Sequence, residues 1–96
     1  MPIATLTLEL RIEHAQSLKD KRQVIRSLKD TLRHGFNVSV AELEGMDSWQ
    51  RATVGIVAIS ASRDYLRGQM EQAEKAAYRI ANDHGAEIVD AFVEID

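Results

Sequence analysis

Five basic residues recur at regular intervals between Ser17 and Gly35. They follow one another by steps of three, four, three and four residues: Lys19, Arg22, Arg26, Lys29 and Arg33. On an α-helix, where each residue turns the chain by about 100°, this spacing places the cations in one stripe about 80° wide. No acidic residue falls within the stripe. Aligned cations meet several backbone phosphates at once, so the predicted chemistry is electrostatic contact with RNA.

Lys21 belongs to the same segment but points in another direction. It projects close to the apolar side of the helix, so its ammonium group either snorkels at the helix end or reaches a partner. We count it as a further candidate nucleic-acid-binding residue, and Arg11 and Arg51 are candidates for extending the surface. Charged helix faces are usually only solvated. The residues alone support a binding surface and a solvated face equally.

The overall charge is not that of a typical nucleic-acid-binding protein. The 96 residues carry a net charge of −3, and the basic segment from Ser17 to His34 has six Lys or Arg against two Asp. An acidic protein can still present a basic face. There is no cysteine, and no apolar run approaches the roughly 20 residues that span a membrane. We therefore expect a cytoplasmic protein of one domain, residues 1–96, without disulfides or membrane contact.

Catalytic and metal-binding patterns are absent from the sequence. The three histidines, His14, His34 and His84, do not stand at metal-ligand spacing. His34 and His84 each precede a glycine, where a histidine stabilises a helix C-terminus. Glycine-rich phosphate loops and common hydrolase motifs do not occur. We predict no enzymatic activity, no cofactor and no metal. Only His14 and Arg22 would suit an enzyme that acts on a small anion.

Hydrophobic periodicity predicts the elements that position these residues. The predicted order is β-α-β-β-α-β, with strands at residues 3–12, 36–44, 49–60 and 86–96, and helices from Ser17 to Gly35 and from Ser62 to Gly85. Both serines are predicted N-caps. Both glycines follow a histidine at the end of a helix, so we predict a left-handed backbone conformation for each glycine.

This order of elements indicates an α+β sandwich, with a four-stranded antiparallel sheet and two helices on one face. Alternation assigns several side chains to the helix-covered face: Leu6, Leu8, Leu10, Val38, Val40, Val54 and Ile56. In the last strand, alternation groups Val89 with Ala91, Val93 and Ile95. Glu42 and Glu44 flank the predicted hairpin turn, where we interpret them as a solvated strand end.

The other face of the predicted sheet has a sizeable apolar share. Its candidate interface residues are Trp49, Val57, Ile59 and Phe92. Small domains with an uncovered apolar sheet often associate through it, so we expect a homodimer. RNA-recognition motifs share this topology, but the first strand lacks their stacking aromatic side chains and the third has only Trp49 at its start. A protein or small-ligand contact on this face is the alternative to RNA contact by the helix.

Three segments of the chain resemble the bacterial YlxP-like family, a domain of unknown function. They are the SLK-x-KR start of the first helix, the FNVSVAE strand and the WQRATVG segment. The matched positions are Ser17, Lys19, Lys21, Arg22, Phe36, Asn37, Ser39, Glu42, Trp49, Gln50, Arg51 and Gly55. The resemblance implies a ferredoxin-like fold and a cytoplasmic role near translation, because genes of the family commonly lie near those for translation initiation and ribosome maturation factors. It implies no activity, cofactor or catalytic residue.

Two hypotheses follow. The first is a non-catalytic dimeric accessory protein that contacts RNA or the ribosome through the first helix. The second is a dimeric protein-interaction or small-ligand-binding module that uses the open sheet face.

Overall fold

The computed structural model describes residues 1–45 and 47–96. Its regular elements are β1 (Ile3–Arg11), α1 (Leu18–Gly35), β2 (Ser39–Glu44), β3 (Arg51–Ile59), α2 (Arg63–Asp83) and β4 (Glu87–Ile95). Their order is the one that the periodicity predicts. Met46, which the sequence places in the turn between β2 and β3, lies outside the described residues.

The four strands form one antiparallel sheet in the order β2-β3-β1-β4. β1 and β3 are the central strands, and β2 and β4 are the edges. Leu8 of β1 stands opposite Val54 of β3 on one side and Ala91 of β4 on the other. This register aligns the inward side chains of neighbouring strands, because alternation has a period of two residues.

Both helices cover the face that carries the apolar side chains of β1 and β3. Leu6, Leu8, Val54 and Ile56 are buried there, together with Leu28 and Leu32 of α1 and Leu66, Met70 and Ala73 of α2. The predicted α+β sandwich, with two helices on one face of an antiparallel sheet, is therefore confirmed. No helix in the described residues is long and apolar enough to cross a membrane.

Serine side chains cap both helices at their N-termini, as predicted. Ser17 Oγ accepts a hydrogen bond from the backbone N–H of Asp20 at 3.2 Å, and Ser62 Oγ accepts one from Tyr65 at 3.1 Å. Asp20 in turn accepts from the N–H of Gln16 through Oδ2 at 3.0 Å. The two serine bonds satisfy amide groups that a helix leaves unpaired in its first turn, and the Asp20 bond pairs the amide that precedes the cap of α1.

The two helices end differently, although each ends near a His-Gly pair. Gly85 follows α2 with φ at +71°, the predicted left-handed conformation. The same prediction for Gly35 is wrong. Gly35 is the last residue of α1 and does not have a positive φ, and Phe36 caps the helix in an extended conformation. The N–H of Phe36 donates to the carbonyl oxygen of Leu32 at 3.0 Å, so α1 closes without a left-handed residue.

This difference predicts opposite effects for two matched substitutions. Gly85→Ala forces a side chain into the left-handed region and is expected to cost about 1 to 2 kcal/mol of stability. Gly35→Ala adds a Cβ that meets nothing within 4 Å and is expected to stabilise by about 0.4 to 1 kcal/mol. Urea unfolding of both variants measures the difference. Equal effects in the two variants would contradict the assigned backbone conformations.

Six strand boundaries differ from the prediction, including one-residue differences at the end of β3 and at both ends of β4, and one face assignment also differs. β1 ends at Arg11, β2 begins at Ser39 because Phe36 belongs to the end of α1, and β3 begins after Trp49. In β4 the pairing with β1 shifts by one residue between Glu9 and Leu10. The shift buries Ile88 and leaves Val89 48% exposed, so the grouping of Val89 with Ala91, Val93 and Ile95 on one face is wrong. An irregularity of this kind reverses the facing of a residue without changing the local pattern.

Candidate nucleic-acid interface

α1 presents four cations along the side that borders β2. They line a groove of 390 Å³ whose walls are formed by Arg22, Ile25, Arg26, Lys29, Asp30, Arg33 and Glu42. We call this the basic groove. Its three arginines are exposed, and Lys29 is half-buried. Lys19 is exposed one turn closer to the start of α1. The helical spacing seen in the sequence therefore produces one continuous basic surface.

β2 borders the other side of the basic groove. It is an edge strand, and the guanidinium of Arg33 donates to the carbonyl oxygen of Val40 at 3.3 Å. This bond occupies one of the backbone acceptors that the edge presents outward. It also fixes the end of the groove, since a side chain of α1 is tied to the strand beside it.

Within the described part of the chain, no ion pair neutralises a cation of the basic groove. Among residues 1–45 and 47–96, ion pairs join Arg11 to Glu13, Lys21 to Glu42, and Arg67 to Asp64. None of these pairs involves Lys19 or a cation of the groove. Of the two acids in the groove, Glu42 is paired with Lys21 and Asp30 is exposed. The groove therefore keeps an excess of positive charge.

Lys21 does not belong to this surface, which corrects its inclusion among the candidate nucleic-acid-binding residues. Only 2% of it is exposed, and its Nζ lies 2.7 Å from Oε2 of Glu42. The ammonium group also donates to the carbonyl oxygen of Gly45 and, at 2.9 Å, to that of Ser48. The ammonium group of Lys21 therefore does not snorkel to solvent at the helix end but reaches a partner, which was the second possibility predicted from the sequence. The partner lies within the chain itself.

The same contact corrects the interpretation of Glu42 as part of a solvated strand end. Glu42 stands opposite the inward-facing Val54, so its side chain points toward α1. The signal for this was available, because Glu42 follows the buried Val40 at a spacing of two residues. Lys21 also indicated a buried contact, because it is a lysine on the apolar side of a helix. The separation of 21 residues between the two hid their pairing.

Gln50 joins the loop before α1 to the start of β3, a role that sequence reasoning missed. Its Nε2 donates to the carbonyl oxygens of Glu13 at 3.2 Å and Ala15 at 3.4 Å. The carbonyl oxygen of Gln50 accepts from the N–H of Ile12 at 2.8 Å. Together with the Lys21 contacts, these bonds hold the loop, the start of α1 and the β2–β3 turn as one unit. That unit positions the first cations of the basic groove.

The histidines lie at separate places in the structure. Nδ1 of His34 is 2.7 Å from the carbonyl oxygen of Asp30, within the last turn of α1. His84 caps α2, and the ring of His14 lies beside Gly85. Within the described ranges, no group of three or more His, Cys, Asp or Glu residues is placed to hold a metal ion.

The open sheet face carries the four predicted interface residues as exposed side chains. Val57 and Ile59 lie on β3 and Phe92 on β4, whereas Trp49 precedes β3 rather than opening it. Beside Val57 the face has an apolar depression of 240 Å³ that crosses β2 and β3. The basic groove and this face lie on different sides of the sheet, so the two predicted surfaces are separate.

The fold and its elements define the class of protein to which the chain belongs, the ferredoxin-like α+β sandwiches. More narrowly, the chain belongs to the family described as a protein of unknown function, DUF503, whose model matches residues 3–92. It is 36% identical over 88 residues to the uncharacterised protein YlxP of Bacillus subtilis strain 168, covering 92% of this chain and 83% of that protein. The predicted resemblance to YlxP-like proteins is confirmed.

Solved structures share the fold at low sequence identity. The C-terminal segment of the alpha subunit of aIF2 from Pyrococcus abyssi aligns with a TM-score of 0.54 and 15% identity over 97% of this chain. This chain spans 50% of that structure. A dimeric ferredoxin-like protein of unknown function from Thermobifida fusca aligns with a TM-score of 0.50 and 17% identity, covering 100% of this chain and 90% of the other. At these identities the likeness concerns the fold alone.

Proposed function

We propose that this chain is a non-catalytic accessory protein that binds RNA, free or within the ribosome, through the basic surface of α1. The contact residues are Lys19, Arg22, Arg26, Lys29 and Arg33. The observation that carries the proposal is the alignment of these cations along one side of α1 with no ion pair among the described residues. The proposal assigns the protein to the cytoplasm, where ribosomes lie.

The strength of the contact follows from counterion release. Each neutralised phosphate contributes about 0.7 to 0.9 to the slope of log affinity against log salt. Five contacts therefore give a slope of about −3.5 to −4.5, and the affinity falls about 100- to 500-fold between about 50 and 200 mM salt. Arginine and lysine contacts to phosphate orient a protein on the backbone but carry no base information. We therefore expect weak sequence preference.

The distribution of charge limits where RNA binds. The segment from Glu71 to Asp96 has seven acids against two bases, and β4 carries three of these acids and no base, so the β4 edge of the sheet repels a polyanion. The basic groove is on the opposite edge of the sheet from β4. Binding is thus directed to one side of the molecule, because the remainder of the acidic chain opposes any other approach.

Charge reversal of two groove residues tests the proposal. We expect Arg22→Glu with Arg26→Glu to abolish binding to purified ribosomal subunits and to a mixed RNA pool at low salt, because two phosphate contacts become repulsions. Fluorescence anisotropy or filter binding over a salt series measures affinity and slope together. The wild-type slope should match the predicted range.

A matched variant controls for net charge. Lys75→Glu with Arg79→Glu makes the same charge change at exposed positions on α2, also four residues apart. It should bind nearly as the wild type does. Equal losses in both variants would mean that net charge alone governs binding, and a wild type that binds no RNA at low salt would make α1 a solvated face.

A further inference from the structure

The open sheet face combines a depression and a projecting aromatic side chain in a single row. The strand register aligns Ala41 of β2, Gly55 of β3, Thr7 of β1 and Phe92 of β4 across the sheet. On this face the depression is bounded by Thr5, Ser39, Ala41, Leu43, Gly55 and Val57. Phe92 is 45% exposed at the other end of the row.

Gly55, on the central strand β3, contributes backbone but no side chain to the floor of the depression, and Leu43 forms the wall directly above it. Leu43 leans over this position, so a Cβ built on Gly55 would lie 2.7 Å from Cδ1 of Leu43. Ala41 is also small, which leaves the adjoining part of β2 low. The volume of 240 Å³ is enough for a phenyl ring, since an apolar cavity of about 150 Å³ already accommodates benzene.

Symmetry makes these two features complementary. Consider two copies whose open faces meet across a two-fold axis that runs parallel to the strands, between β3 and β1. The axis places β2 of one copy over β4 of the other and each row of one copy over the same row of the other. Phe92 of one copy then lies over Ala41 and the depression of the other copy, and the reciprocal contact forms at the same time. An isologous dimer requires this kind of self-complementarity.

We propose that the open sheet face binds a second copy of this chain, with Phe92 of each copy seated in the depression of its partner. The same axis places Val57 opposite Thr5 and Ile59 opposite Ile3 in adjacent rows. The middle of the interface is therefore apolar. Charged side chains surround this middle as a polar rim, with Glu94 on one side of Phe92 and Glu9, Asp90, Glu44, Arg11 and Arg51 toward the other end of the strands. The axis faces Asp90 of one copy with Glu44 of the other only at this periphery, where both side chains are exposed to solvent.

The sheet edges are unsuited to a second copy, which favours the face. Antiparallel pairing of two β4 strands about Phe92 would bring Asp90 of one copy opposite Glu94 of the other, and facing like charges destabilise a strand pair. β2 has six residues, and its pairing with β3 is irregular between Glu42 and Glu44. Short and irregular edge strands resist edge-to-edge association.

The area of the face is sufficient for a dimer that dissociates on dilution. Strands of nine residues extend about 30 Å, and four strands span about 19 Å. Allowing for the shorter β2, each copy contributes about 500 Å², or about 1,000 Å² in total. Specific interfaces begin near this size. We therefore expect a dissociation constant in the micromolar range.

Sedimentation velocity across the micromolar range tests the proposal with the full chain. The wild type should convert from monomer to dimer as its concentration rises. Phe92→Glu and Ala41→Arg should each raise the dissociation constant by at least about 30-fold, because one removes the central aromatic contact and the other fills the depression. Tyr78→Glu is the matched control, an aromatic side chain of similar exposure on α2, and it should dimerise as the wild type does.

Mixing the two variants tests the reciprocal geometry itself. A heterodimer of Phe92→Glu with Ala41→Arg has one native contact and one pair of opposite charges, so the mixture should recover the dimer. Circular dichroism confirms that each variant is folded. A wild type that stays monomeric, a Phe92→Glu variant that dimerises normally, or a mixture that recovers no dimer would overturn the proposal. Because Phe92 and Ala41 lie outside the basic groove, the test is independent of RNA binding.

Discussion

Lys21→Ala is expected to lower the free energy of unfolding by about 3 to 5 kcal/mol, although lysine is usually a tolerant surface residue. The substitution removes the partner of the Glu42 carboxylate, whose side chain is only 20% exposed. It also removes the donor to the carbonyl oxygens of Gly45 and Ser48. The cost is large because a charged group is left without its partner in a poorly hydrated position.

Urea unfolding followed by circular dichroism measures this effect. Lys19→Ala, an exposed position on the same turn of α1, should change the free energy of unfolding by less than about 0.5 kcal/mol. Lys21→Met with Glu42→Leu should recover most of the loss, since replacing both charges leaves neither unpaired. A loss below about 1 kcal/mol for Lys21→Ala would contradict the buried pair, because surface lysines behave in that way.

Leu8→Ala is expected to destabilise the protein by about 2 to 5 kcal/mol. Leu8 is fully buried on the central strand β1, between Val54 and Ala91. Both neighbouring strands hold this position, so the backbone cannot collapse into the cavity that the substitution leaves.

The same unfolding measurement, with Thr7→Ala as control, examines this prediction. Thr7 directly precedes Leu8 on β1 but points to the open face, so its truncation should cost less than about 1 kcal/mol. The dependence of the free energy on urea concentration should stay unchanged, which identifies a change of stability rather than of the unfolded state. Similar losses at both positions would contradict the assignment of the two faces.

The sequence was sufficient to predict the order of the elements and the helix starts. Apolar alternation in β1 and helical spacing in α1 extend over many residues, so each element carries its own signal. Ser17 and Ser62 act within their own first turns, which makes their roles local as well. The position of Val89 was not predictable in this way, because it depends on a shift in the pairing of β4 with another strand.

The alignment of the cations on α1 was predictable for the same reason, because it depends on one helix alone. The burial of Lys21 was not predictable, because it depends on a contact with another segment, as the position of Val89 does. Arg22, Arg26 and Arg33 align through the geometry of a single helix, so spacing alone places them together. The burial of Lys21 depends on Glu42, which reaches it only after the chain has turned back through β2. Contacts between distant segments leave no periodic pattern in the sequence, and they decide which cations of α1 are accessible.

The burial of Lys21 makes the rate of its acylation a measure of local opening in the protein. Acylating reagents attack a lysine only when its amine is accessible and has released its proton, and the Lys21 amine is enclosed by Glu42 and the β2–β3 turn. Its acylation therefore requires that the turn separate from α1, a local opening whose free energy need not equal that of global unfolding. Lys19, two residues away and exposed, is acylated in the closed state. The ratio of the two acylation rates thus measures how often this end of the molecule opens.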